Sequence, residues 1–85
     1  MKPMDIKEIE KKVMEVLADR ASMDMKQVTL QSRLVDDLGL DSLDAVEMVF
    51  QFEETYGIEI PDDQIREFKT GQDIVAYLSL RLASG

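Results

Sequence analysis

The stretch LGLDSLDAVEMVF, residues 38–50, decides how the rest of the chain is read. From Ser42 onward its apolar residues recur at steps of three and four, the period of a helix rather than of a strand. At about 100° per residue, Ala45, Val49, Phe52 and Tyr56 fall in one narrow sector that should face a core. Asp41 or Ser42 begins this helix, with Asp41 as its N-cap, and Gly57 ends it, because glycine adopts the left-handed conformation of a helix stop.

The flanks repeat the pattern. Over residues 5–20, Ile6, Ile9, Val13, Val16 and Leu17 define an amphipathic first helix, with Asp5 and Glu8 at the positions of an N-cap and its reciprocal partner. Pro61, Asp62 and Asp63 open a short third helix that runs to about Glu67. Thr70 and Asp73 then start a fourth, whose Ile74, Tyr77, Leu78 and Leu82 share a face. The apolar triplet at residues 58–60 is too brief for a strand and has no partner. Between the first two helices, residues 21–40 are longer than structureless loops usually are. Val28, Leu30, Leu34, Val35, Leu38 and Leu40 supply apolar anchors, so the segment is expected to be an ordered crossover with one helical turn. The expected fold is all-α, a four-helix bundle of three longer helices and one short one, forming a single domain over residues 1–85.

Composition bounds what such a domain does. At 85 residues it buries only about 60% of the surface its unfolded chain exposes, and its few aromatic residues make the core mostly aliphatic. The chain contains neither cysteine nor histidine, which excludes disulfides, thiolate metal sites, a cysteine nucleophile and the commonest general base. Eighteen acidic against ten basic residues give a net charge of −8, which repels nucleic acid and anionic lipid and favours basic partners. No apolar run approaches the roughly 18 residues of a membrane span, and the first residues lack a secretory signal, so a cytoplasmic protein that does not insert into membranes is expected. The acidic residues do not form a calcium loop: a frame over residues 36–47 puts Leu38 and Leu40 where oxygen ligands belong. No metal site is expected.

Ser42 poses the functional question. A serine nucleophile needs a base and oxyanion donors, but no histidine exists, the G-x-S-x-G elbow is absent and no lysine lies nearby in sequence. Two readings remain. Ser42 is an ordinary N-terminal helix residue, or it is a substrate that another enzyme modifies, since a phosphate ester there meets free N–H groups and the positive end of the helix dipole. The helix that follows is similarly open. Leu43, Val46 and Phe50 form a second apolar strip bordered by Asp44, Glu47, Gln51 and Glu54, which is either the margin of the core or a docking strip with an acidic rim.

Taken together, DDLGLDSLDAVEMV at residues 36–49 and EETYGIEIPDD at residues 53–63, in a small acidic chain, resemble an acyl carrier protein of the discrete, fatty-acid-synthase type. The resemblance spans nearly the whole chain. It implies that Ser42, flanked by Asp41 and Leu43, carries 4'-phosphopantetheine received from coenzyme A through a phosphopantetheinyl transferase. It further implies that acyl groups ride as thioesters on that arm, and that the chain is not an enzyme. Asp44, Glu47, Glu53 and Glu54 match the family's acidic recognition positions, and Leu43, Val46 and Phe50 its exposed apolar contacts. Phe50 is bulkier than the aliphatic residue of the family's pattern, which bears on partner choice. The implied partners are acyl transferases, ketoacyl synthases, reductases and dehydratases with basic docking surfaces, met by a monomer. Alternatives are a dedicated carrier for polyketide, lipopolysaccharide or aminoacyl transfer, and an unmodified helical adaptor.

Overall fold

The computed structural model describes residues 5–84. Asp5 caps helix α1, Ile6–Ala21, by accepting a hydrogen bond from the Lys7 N–H at 3.0 Å. The reciprocal bond expected from the Glu8 side chain is not formed; the Glu8 N–H donates to the Asp5 carbonyl instead. Ile9, Val13, Val16 and Leu17 are buried as their spacing predicts, whereas Ile6 lies in the first turn beyond the reach of the core and is half exposed. Helix α2 spans Ser42–Tyr56, α3 Asp62–Glu67 and α4 Gly71–Ser84. Gly57, with φ 65°, ends α2 as expected, its N–H donating to the Glu53 carbonyl at 2.8 Å. At the start of α4 the Thr70 hydroxyl accepts from the Asp73 N–H while the Asp73 carboxylate accepts from the Thr70 N–H, the reciprocal box read from the sequence. The described residues contain no strand, only one isolated bridge between Arg33 and Thr70.

α1 packs most extensively against α4 and also against α2, and α3 rests on α2. Phe52 is the largest fully buried side chain, and it shares one core cluster with aliphatic residues such as Leu17, Ile74 and Leu78. Met48, outside the sector expected to face the core, is also fully buried, so the buried face of α2 is rotated toward it. Ala45 and Tyr56, expected in the core, are only half buried. At Ala45 the cause is local, because the first turns of α2 face a groove rather than packed side chains.

The crossover is ordered, with one 3-10 turn at Met25–Gln27. Val28, Leu34, Leu38 and Leu40 are buried and Leu30 partly so. Val35 is not an anchor: it is 67% exposed, because the turn that puts Leu34 and Leu38 on its inner side leaves Val35 on the outer one. Backbone bonds fasten the segment to the rest of the chain, from the Leu34 N–H to the Lys69 carbonyl at 3.0 Å and from the Gln72 N–H to the Leu30 carbonyl at 2.8 Å. A long loop is tolerable when its polar groups are satisfied in this way. Its last turn closes with Gly39 at φ 69°, where the Leu40 N–H reaches the Leu34 carbonyl at 2.9 Å. A side chain at residue 39 would be strained by that φ, so glycine lets the chain turn directly into α2.

Candidate functional site

Three residues lock the start of α2. The Asp41 carboxylate accepts from the Asp44 N–H at 2.8 Å, and the Asp44 carboxylate accepts from the Asp41 N–H at 3.2 Å. The Ala45 N–H is taken by the Asp41 carbonyl at 3.0 Å. What this leaves unpaired, among the described residues, are the N–H groups of Ser42 and Leu43 and the Ser42 hydroxyl. Ser42 is the first residue of α2 and is exposed. The result is an exposed hydroxyl on a backbone turn held by its caps, with no hydrogen bond to break, beside two backbone donors and the positive end of a helix.

Ser42 stands on the wall of a groove of about 820 Å³. Leu34, Leu40, Ala45, Val46, Ile65 and Phe68 give the groove an apolar lining. Arg33, Arg66 and Lys69 line it together with Asp36, Asp41 and Asp62, so its polar lining carries both signs of charge. The groove was not legible in the sequence, because the crossover, α2 and α3 contribute to it from separate stretches of chain.

The strip on α2 divides in two. Leu43 and Phe50 are 64% and 57% exposed, the arrangement of a docking strip rather than of a core margin. Val46 is half buried and turned to the groove. The acidic residues also differ from one another. Glu54 is exposed and takes part in no ion pair among the described residues. Glu53 accepts a hydrogen bond from the Ile60 N–H at 2.7 Å and so holds the loop that follows α2. Asp44 and Glu47 both receive hydrogen bonds from Nη2 of Arg20 in the last turn of α1, the former at 3.1 Å. The sequence offered no sign of this contact. A basic residue in a helix's last turn complements the helix dipole wherever it points, and only packing of α1 on α2 aims this one across 24 and 27 residues.

These contacts tune Asp44. Hydrogen bonding from the Asp41 N–H, then from Arg20, holds its carboxyl below the usual carboxylate range, and the same pairing raises the Arg20 pKa. A carboxyl depressed in the folded state stabilises the fold above its ordinary pKa of about 4, and that stabilisation is lost as pH falls through the lower folded value. Asp44→Asn should therefore flatten the decline of melting temperature between about pH 5 and pH 3. Thermal melts of both proteins across that range check this, and parallel curves would refute it.

Among the described residues no group of three or more acidic side chains is placed to hold a metal ion, and no helix is long and apolar enough to cross a membrane. The site also matches known proteins in sequence. A family model described as a phosphopantetheine attachment site matches residues 11–78. The chain is 43% identical over 76 residues to an acyl carrier protein of Amoebophilus asiaticus, covering 89% of this chain and 95% of that protein. It is 42% identical over 73 residues to acyl carrier proteins of Rickettsia canadensis and Rickettsia massiliae, covering 86% of this chain and 85% of each.

Proposed function

The chain belongs to the acyl carrier protein family, a family of carriers rather than catalysts with covalently bound 4'-phosphopantetheine, and from that premise we propose that Ser42 is the attachment residue and that the protein serves fatty-acid-synthesis-type enzymes. The observation that carries this reading is the Ser42 hydroxyl itself, exposed, unpartnered and fixed at the first position of α2 on the wall of an apolar groove. The residues fit the group. Ser42 Oγ would form the phosphodiester, and the N–H groups of Ser42 and Leu43 face the charge of its phosphate. Asp41 keeps those donors in place by capping the helix one residue earlier.

When bound, the group supplies a terminal thiol that holds acyl chains as thioesters. In the loading step Ser42 Oγ attacks the phosphate of coenzyme A that bears the pantetheine, and 3',5'-adenosine bisphosphate leaves. The Ser42 proton passes to a base on the transferase, since the chain has no histidine and the Ser42 hydroxyl has no hydrogen-bond partner among the described residues. The groove shelters an acyl chain along Leu34, Leu40, Val46 and Phe68. Leu43 and Phe50 dock on basic partner enzymes, with Glu54 as a free carboxylate at the edge of the contact and Asp44 and Glu47 as paired ones. In this reading residues 1–85 are one carrier domain.

Incubation with coenzyme A and a phosphopantetheinyl transferase of broad specificity should add one phosphopantetheine per chain by intact mass, and fragmentation should place it on Ser42. Failure to load with several such transferases would overturn the reading.

A further inference from the structure

Arg20 is the only cation that an ion pair brings to α2 among the described residues. Its Nη2 alone serves both Asp44 and Glu47, while its Nε is buried without a partner. A guanidinium presents five donors, so the arrangement is poorly satisfied for a contact that exists to hold helices together. The carboxylate side chains keep 30% and 45% of their surface in water and that of Arg20 keeps 23%, so the pair lies partly in solvent and water can replace Arg20 at both carboxylates. Pairs of this exposure add little to stability. The larger consequence is electrostatic. Arg20 lowers the charge of the patch nearest Ser42 and occupies Asp44 Oδ1, whose other oxygen already accepts from the Asp41 N–H.

We propose that Arg20 is a specificity-setting residue: it masks the Asp44 and Glu47 carboxylates from across the helix interface, so a basic partner must compete with it or bind mainly through Leu43, Phe50 and Glu54. The inference rests on the reading of α2 as a docking helix. It implies that partners carrying many surface cations are held back more than partners that rely on apolar contact, because steering by opposite charge acts mainly on the association rate.

The test is loading kinetics with coenzyme A and a transferase that accepts the unaltered chain and carries a basic docking surface. Arg20→Gln, and Arg20→Met in case the glutamine variant fails to fold, should lower KM for the carrier by about threefold to tenfold, as unmasked opposite charge accelerates encounter. The kcat should stay within about twofold, because Ser42 and its cap are untouched. Arg20→Lys, which keeps the charge, should stay close to the unaltered protein. Above roughly 0.5 M salt the gain should vanish, since screening then acts over only a few ångströms. An unchanged or raised KM in a folded variant, a gain that survives high salt, or a lysine variant as improved as the glutamine one would each overturn the proposal. An unaltered chain that never loads would instead overturn the attachment reading.

Discussion

Ser42→Ala is expected to take phosphopantetheine loading from one group per chain to none while leaving the fold in place. Both halves follow from the same geometry. The hydroxyl is exposed and makes no hydrogen bond to the described residues, so its removal breaks nothing in the chain. Surface changes of that kind move stability by no more than about 0.5 kcal/mol. The cap belongs to Asp41 and Asp44, which the substitution does not touch. Loading, in contrast, has no substitute path, because the oxygen that forms the phosphodiester is gone. Intact mass after incubation with coenzyme A and transferase reads the first half, and circular-dichroism melting reads the second. An adduct of undiminished stoichiometry on the alanine variant would move attachment to another residue. A collapsed melt would mean that Ser42 has a structural role its surroundings do not reveal.

The helices were legible because their signals are local. Spacing of three and four, the Asp41 and Thr70 caps and the Gly57 stop each involve residues within one or two turns, and the structure forms all of them. Ser42 was legible as a serine one residue after a cap, and only the family resemblance singled it out as the proposed attachment residue. What the sequence hid is what depends on contact between distant segments. Val35 carries the same apolar side chain whether its turn points inward or outward, and the bonds of the crossover to Lys69 and Gln72 decide that. Glu53 and Glu54 look alike as neighbouring carboxylates, yet the returning chain brings the Ile60 N–H to one and not to the other. Arg20 reads as a surface cation until α1 is laid against α2. Glu53, Glu54 and Arg20 set the charge that the helix after Ser42 presents, so the surface proposed to meet partners was less legible than Ser42 itself.

Two phenylalanines separated by a single residue on α2 should respond in opposite ways to truncation, and the contrast tests the orientation on which the docking surface depends. Phe52 is fully buried in the centre of the core and Phe50 is 57% exposed. Phe52→Ala removes the largest of the fully buried side chains. Losses of this type cost about 3–5 kcal/mol once the cavity left behind is included. Against a total of roughly 4–13 kcal/mol for a domain of this length, that is a large share. A chain with net charge −8 also repels itself, which places it toward the lower end of that range. Melting should fall by about 15–30 °C, enough to leave part of the population unfolded near room temperature. Phe50→Ala should move it by no more than about 4 °C, since a half-exposed ring gives up little buried area. The order reverses in carrier function. On the proposed docking reading, folded Phe50→Ala protein should load and dock more weakly than the unaltered chain, because a large exposed aromatic ring is the kind of anchor that a partner's pocket takes. Equal melting losses for the two variants would mean that α2 is rotated from its described position, and the strip of Leu43 and Phe50 would then belong to the core rather than to the partners.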